Sequence, residues 1–446
     1  MTPDRTPERL VLIVGLLFGV ILVFVTPPFQ SPDEPAHFCR AYQIADGRIF
    51  AGGPGDNLPS SISRLIEHFK GIDFHPERKV NARDLWRARA IRLSPDERQY
   101  LFFPNSALYT PIPYIPQAVG CLIGRLFTAP PLVILYLARL TNLLASTLII
   151  AIAIRITPAY RSALAFAALL PMSLFIRSTT SGDALTAAIA FLLVGIVLRM
   201  AHAHDVIGRP LVISFAFASL TIALCKPVYF LLPALILAIP RERFESRVAQ
   251  LRVIVATAAM TLTGLLVSAW SAGSRYVAMR SDVVLDPSKQ LHAVLHAPLH
   301  FLHIVATDLA THSARYVGQI IGNFGWLDAP LHPGVVGVIA LAFAGITVLD
   351  GAVPLGTRGR VVLALALAGT VLIIDLSQYL IWTAVGADVL QGVQGRYFIP
   401  IVPLAMLLVH GKRFESPTIA RWLLRGGPPL MGTITVVTVW LRYWSG

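Results

Sequence analysis

Apolar residues in this chain come in long runs set apart by polar segments. The runs lie at 10–25, 131–154, 160–176, 184–200, 211–225, 227–240, 252–271, 333–349, 361–385, 397–410 and 428–443. A helix needs ~20 apolar residues to cross the hydrocarbon core, where every backbone polar group must be satisfied internally. The pattern predicts an all-α polytopic membrane protein with about eleven transmembrane helices. The run 10–25 follows Arg5 and Arg9 and leads into Thr26-Pro27-Pro28, not into a small-residue cleavage site. It is expected to be a retained first span.

Two polar stretches interrupt the runs. One, at 27–104, holds helix-like pieces at 34–45 and 60–69; the other, at 271–332, holds an amphipathic piece at 291–317 suited to an interface. The segment 106–127 decides the topology, because Pro111, Pro113 and Pro116 break its first half. If it does not cross and the N-terminus is cytoplasmic, the cytoplasmic loops hold Arg155, Arg161, Arg199, Arg209, Arg241, Arg243, Arg247, Arg252, Arg358, Arg360, Lys412, Arg413, Arg421 and Arg425. If it crosses, all of them move outside. The positive-inside bias selects the first arrangement. The expected organisation is one transmembrane domain over 1–446. A first outer loop with juxtamembrane helices lies at 27–130 and a second outer loop at 271–332.

Composition agrees with a membrane-embedded chain: 55% of its 446 residues are hydrophobic and 14% charged, with mean hydropathy +0.67. Soluble domains carry roughly 25% charged residues. The net charge of +13 sits in short segments between apolar runs. It reads as topology signal and lipid head-group contact, with no nucleic-acid partner. Cys39, Cys121 and Cys225 are widely spaced and suggest neither a disulfide framework nor a zinc site.

Four short segments, all on the outer side in this arrangement, carry candidate chemistry. Ser31-Pro32-Asp33-Glu34-Pro35-Ala36-His37 sets two carboxylates at the membrane surface. Either could act as a general base, with partial burial raising its pKa, or Asp33 could cap a helix that Glu34 favours through the helix dipole. Arg177-Ser178-Thr179-Thr180-Ser181-Gly182-Asp183 offers Arg177 for a phosphate and Asp183 to orient it or a sugar hydroxyl, or is an ordinary loop before a helix. Lys226, flanked by apolar runs, either snorkels or meets an anion such as a lipid phosphate. Gly392-Val393-Gln394-Gly395-Arg396-Tyr397 combines glycines that allow close backbone approach with a guanidinium fork, or is a turn with an interfacial Arg-Tyr anchor.

Tyr109 and Tyr114 could line a groove or belong to an interfacial belt, and Arg139 opens the next span. Trp326 suits packing better than sugar stacking. His292, His296, His300 and His303 recur at helical spacing, but no carboxylate cluster accompanies them, so no metal and no cofactor are expected. HExxH, P-loop and GxSxG motifs are absent from the sequence.

The order of these motifs resembles the C-type glycosyltransferase fold, as in protein O-mannosyltransferases and aminoarabinose transferases. The resemblance runs from Asp33-Glu34 through the Tyr-Pro segment 109–117, Arg139-Leu140, Asp183-Ala184-Leu185 and Lys226-Pro227 to Arg396-Tyr397 with Pro400. The lysine element lacks the glycine seen in those enzymes. Pro-Asp-Glu-Pro-Ala-His, Ser-Gly-Asp-Ala-Leu and Gly-Arg-Tyr-Phe-Ile-Pro are also similar to a bacterial family of membrane proteins without assigned chemistry.

The resemblance implies a hexosyl- or pentosyltransferase in the bacterial inner membrane, with its active site at the periplasmic face. It implies a polyprenyl-phosphate sugar donor and a lipid-linked or cell-envelope glycan acceptor. Asp33 or Glu34 would be the base. Lys226 and Arg396, with Arg139 or Arg177, would hold phosphate, and His37, Tyr109, Tyr114, Asp183 and Tyr397 would line the site. A flippase of lipid-linked saccharide is the alternative kept open by the intramembrane Asp375, and a non-catalytic envelope assembly protein is a third.

Overall fold

The computed structural model describes residues 5–202, 207–273, 277, 278, 280, 282–350, 356–409 and 416–444. Lys412 and Arg413 lie outside them. The chain is mostly helical. Helix α1 (Thr6–Val25) leads through a turn into α2 (Glu34–Ala45), and a short antiparallel pair, β1 (Gly55–Pro59) with β2 (Arg98–Phe102), frames α3 (Ser60–His68) and α4 (Ala82–Arg89). The pieces expected at 34–45 and 60–69 are α2 and α3. Next come α5 (Pro104–Ala107), α6 (Ile115–Leu126), α7 (Pro131–Ile156), α8 (Arg161–Ala168), α9 (Pro171–Arg177), α10 (Asp183–His202), α11 (Arg209–Cys225) and α12 (Arg247–Ala272). After α13 (Pro287–His296) and α14 (Pro298–Gly322) come α15 (Pro333–Leu349), α16 (Thr357–Ile381), α17 (Val402–Val409) and α18 (Pro417–Tyr443).

The centre of the bundle is α7, packed against α1, α6 and α10. Small residues permit this. A Cβ on Gly120 would lie 2.4 Å from the Leu137 carbonyl oxygen, and one on Gly195 2.6 Å from that of Ala153. Lipid gives apolar helices no hydrophobic reason to associate, so close backbone packing at small residues takes over. Helix α10 is buried along nearly its whole length.

Among the described residues, five helices (α1, α7, α10, α12 and α16) are long and apolar enough to cross a membrane, or six if α13 and α14 count as one bent span. This is fewer than the eleven expected: α11 and α15, at 17 residues each, fall short, and proline breaks three further runs. Pro171 splits the run 160–176 into α8 and α9. The run 227–240 folds as 3₁₀ turns containing Pro227 and Pro233, and Pro400 lies in the 3₁₀ turn Gly395–Ile401 before α17. The run 428–443 is only the second half of α18. The amphipathic piece at 291–317 is not one helix either, because α13 and α14 meet at Pro298 with a bend of 103°. In the segment 106–127 only α6 is a regular helix, and its 12 residues fall short of the ~20 a crossing needs.

The first polar stretch has its own apolar core, in which Phe38, Tyr42, Leu58, Ile62, Leu65 and Phe103 meet Leu132, Leu135 and Ala138 of α7. Asp46 fastens it, taking hydrogen bonds from Arg48 (2.9 Å), Arg98 (2.7 Å) and Arg125 (2.5 Å). The C-terminus closes it. Arg442 donates to Asp328 and to the Ile72 carbonyl, and the Trp444 indole donates to the Val25 carbonyl.

Burial works against the Asp46 charge, but hydrogen bonds from Arg98 and Arg48 and the nearby Arg125 outweigh it and hold the carboxyl below its ordinary range. A depressed carboxyl stabilises the fold above the unfolded value near pH ~4, and that contribution fades as pH falls through the folded value. Asp46→Asn is expected to cost on the order of 1–2 kcal/mol at pH 7. The deficit relative to wild type should shrink on acidification, read by thermal unfolding in detergent at both pH values.

Candidate functional site

The four chemistry-bearing segments meet where α1 ends, α10 begins, α11 ends and the 3₁₀ turn Gly395–Ile401 starts. They enclose a cavity of about 190 Å³ lined by Asp33, His37, Tyr109, Asp183, Lys226, Arg396 and Tyr397, among others.

Asp33 stands at the N-cap position of α2 but does not cap it. Its φ is 60°, and its side chain makes no bond to the helix backbone. A left-handed backbone at a non-glycine residue is uncommon and persists where the surroundings impose it. Here it turns the carboxylate into the cavity. Arg396 donates to one oxygen at 2.7 Å and Asn105 to the other at 2.9 Å. The Asp33 side chain keeps 34% of its exposure, against 3% for Arg396. Burial pushes the Asp33 pKa up, but the Arg396 charge and hydrogen bond, helped by His37 where low pH protonates it, outweigh this and leave it lowered. That reverses the rise expected from partial burial alone.

Glu34, the neighbouring carboxylate, faces the other way. Its two oxygens accept from Arg139 Nε (2.8 Å) and Nη2 (2.6 Å), and one also accepts from the Thr180 amide (3.1 Å). Arg139 spends its remaining donors on the carbonyls of Val23, Thr26 and Pro27. Both side chains are at most 1% exposed. Neither lines the cavity, so Glu34 is not placed to act as a base, nor Arg139 to hold a phosphate. Arg177 is also buried outside the cavity lining, where it donates to the Ser173 and Ala168 carbonyls and to the Thr147 hydroxyl.

The loop after α9 sets Asp183. Gln117 and Asn142 donate to the carbonyls of Thr179, Thr180 and Ser181, which pins the chain before α10 starts. Asp183 is ion-paired with Lys226 and lies 3.9 Å from Arg396. Lys226 sits at the break between α11 and Pro227, where the residue before a proline is pushed to extended geometry. Its ammonium lies 5.5 Å from the Tyr109 ring centroid and 5.4 Å from that of Tyr397. Such a cage stabilises a desolvated cation. Gly395 lets the Arg396 turn dock on α14, since a Cβ there would lie 2.5 Å from the Tyr316 carbonyl oxygen.

His37 completes the wall, with Nδ1 2.9 Å from the Tyr114 hydroxyl. Burial is the largest influence on its imidazole and pushes the pKa down to about 4, so the ring is neutral at pH 7. Tyr114 itself stands behind His37, outside the lining. Trp326 packs on Phe74 and donates to the Phe29 carbonyl, away from the cavity. His292 and His296 stack on each other, and His300 pairs with the exposed Asp388. Sequence reasoning missed Asn105, Ser377, Gln378 and Trp382, all in the lining, and gave no role to Gln394, which joins them there. The polar pair Ser377-Gln378 near the end of the run 361–385 was the available signal.

Two carboxylates and two cations thus share one partly open cavity with tyrosine walls. An anion entering it would compete with Asp33 and Asp183 for Arg396 and Lys226, and would loosen Asp33 in doing so. Charge-assisted contacts of this kind favour phosphate or carboxylate groups.

No curated protein and no solved structure matches the chain. Residues 16–405 match a family described as a predicted membrane protein, DUF2142, and this stretch takes in Asp33, Asp183, Lys226 and Arg396. With a match over most of its length and several helices fit to cross a bilayer, the chain is a multi-pass membrane protein that belongs to the DUF2142 family.

Proposed function

We propose that this protein is an inverting, metal-independent membrane glycosyltransferase. It moves a sugar from a polyprenyl-phosphate donor to a lipid-linked or envelope glycan acceptor at the periplasmic face of a bacterial inner membrane. The observation that carries the reading is the cavity itself: a partly exposed Asp33 carboxylate beside two cations, Lys226 and Arg396, at the ends of apolar helices.

The chemistry follows from these groups. The phosphodiester of the donor takes the place of Asp33 at Arg396 and of Asp183 at Lys226. Asp33, relieved of its cation, becomes more basic and accepts the acceptor's hydroxyl proton. The acceptor oxygen attacks the anomeric carbon, and the bond from that carbon to the phosphate oxygen breaks with its electron pair. The leaving phosphate gains a negative charge that faces both cations, a stabilisation realised most fully as the bond breaks.

The distribution of charge along the helices supports the sidedness. Helix α7 carries Arg139 toward its first half and Arg155 in its last turn; α10 begins at Asp183 and carries Arg199 in its last turn. Helix α11 begins at Arg209 and ends beside Lys226, and α16 begins with Arg358 and Arg360 and brings Gln378 to the cavity. Arginines thus gather at the helix ends away from the cavity. The positive-inside rule then puts the N-terminus in the cytoplasm and the cavity outside. In this reading the runs at 160–176, 211–225, 227–240, 333–349, 397–410 and 428–443 also cross, which with the five long helices makes eleven crossings.

Three outcomes are expected. With purified protein in vesicles and a radiolabelled polyprenyl-phosphate sugar, Asp33→Asn lowers transfer by ~10²–10⁴-fold while folded protein is retained. Full transfer by this variant removes the proposed base. Glu34→Gln instead leaves Arg139 buried without its counter-charge and costs about 3–5 kcal/mol, seen as loss of folded protein in size-exclusion chromatography. The acid limb of kcat/KM, which reports free enzyme, lies at lower pH than the acid limb of kcat, because bound phosphate takes Arg396 away from Asp33. Coincident limbs would contradict this exchange.

A further inference from the structure

Away from the cavity, α14 and α16 bring a second set of ionisable groups together. Asp375 lies in the apolar helix α16, is fully buried, and neither of its carboxyl oxygens has a hydrogen-bond partner. Asp308 of α14 is 4% exposed and is fully engaged: His312 Nδ1 donates to one oxygen at 2.8 Å and the Tyr316 hydroxyl to the other at 2.6 Å. The spacings put these residues on facing sides. Phe301 and Asp308 are seven apart on α14, and Asp375 and Tyr379 are four apart on α16. The rings of Phe301 and Tyr379 lie 5.3 Å apart, so Asp308 and Asp375 stand on the sides of the two helices that face each other.

We infer that Asp375 and Asp308 form a proton-binding site within the helical bundle, with Asp375 carrying the proton. The inference is independent of the sugar-transfer reading. A carboxylate with no donor, beside a second carboxylate and surrounded by apolar helices, faces a desolvation cost that nothing nearby offsets. The neutral acid removes that cost. Asp308 already holds two donors and is the member of the pair suited to keep its charge.

The other groups packed around α16 supply no counter-charge. The 3₁₀ turn Leu232–Ala238 and helix α17 carry no ionisable side chain. Lys226 and Arg396, paired with Asp183 and Asp33, line the cavity with Tyr229 and Tyr397, on the stripe of α16 formed by Ile374, Ser377, Gln378 and Ile381. On α13, Lys289 pairs with Asp286, while His292 and His296 stack on each other at an exposed position. Arg315 lies over the Tyr316 ring, and the Tyr379 hydroxyl donates to the Ala387 carbonyl. A metal cation needs several oxygen or nitrogen ligands, and among the described residues no three His, Cys, Asp or Glu side chains gather to hold one.

Asp308 reaches the surface through His312, whose side chain is 38% exposed. The site also has a way to be felt elsewhere. Helix α16 contributes to the cavity wall, and the Tyr316 ring lies 5.6 Å from that of Phe398, two residues from Arg396.

Infrared difference spectra of the full chain in lipid vesicles, recorded across a pH titration in H₂O and D₂O, test the inference. The expected result is a protonated-carboxyl stretching band that persists well above the ordinary carboxyl range of pH ~4 and shifts in D₂O. It disappears in Asp375→Asn, is retained at a shifted frequency in Asp375→Glu, and moves in Asp308→Asn. No such band in the wild type, or an unchanged band in Asp375→Asn, overturns the assignment. A band lost on adding sodium chloride at fixed pH also overturns it, in favour of a metal cation. Asp375→Asn is close in size and uncharged, and its elution profile in detergent controls for folding.

Discussion

Glu34 and Arg139 hold each other in a place that water does not reach, and much of the structure hangs on that pair. Removing two charges from water is costly, and only mutual contact with fully used donors and acceptors offsets it. Here the contact is bidentate. The surplus donors of Arg139 collect the last carbonyls of α1 and the turn after it, while Glu34 also takes the Thr180 amide. One ion pair therefore ties the end of α1, the start of α2 and the loop before α10 to the central helix α7. Asp33 is the residue just before Glu34. With its neighbour fixed, its backbone is held in the left-handed region and its side chain can only face the cavity.

The same economy of charge explains the cavity. Lys226, Arg396, Asp33 and Asp183 neutralise one another when nothing is bound. The tyrosine rings around Lys226 and beside Arg396 add polarisable walls. Such a site is stable while empty and selective when filled, since only an anion can replace the carboxylates without leaving a cation bare. Asp33 is the most exposed of the four and is the one positioned to meet an acceptor from the aqueous side.

Much of this was legible in the sequence, for physical reasons that differ from residue to residue. Apolar runs and their flanking arginines report the membrane directly, because charge and hydropathy are properties of the residues themselves. Pro111 and Pro113 announced a broken segment before α6, since proline's effect on the backbone is local. The division of labour between Asp33 and Glu34 was not legible. Both are acids one residue apart, and which one meets Arg139 depends on a contact 105 residues away. Arg139 and Arg177 looked like phosphate ligands for the same reason, because sequence shows a guanidinium but not the backbone carbonyls to which it donates. Asn105 was missed because a single amide in a short element has no local signature, and Gln378 because a polar pair near the end of an apolar run reads as the edge of that run. The runs 160–176, 227–240 and 397–410 looked like unbroken helices because hydropathy does not register how a proline divides a helix.

The most direct test of the central claim is the affinity of purified protein for polyprenyl phosphate, compared with the uncharged polyprenol, in wild type and in Lys226→Met. The account predicts that the variant loses roughly 10–100-fold in affinity for the phosphate, as expected for one charge-assisted contact of about 1.5–3 kcal/mol, and binds the alcohol as the wild type does. Equal binding of the phosphate by both proteins would contradict it.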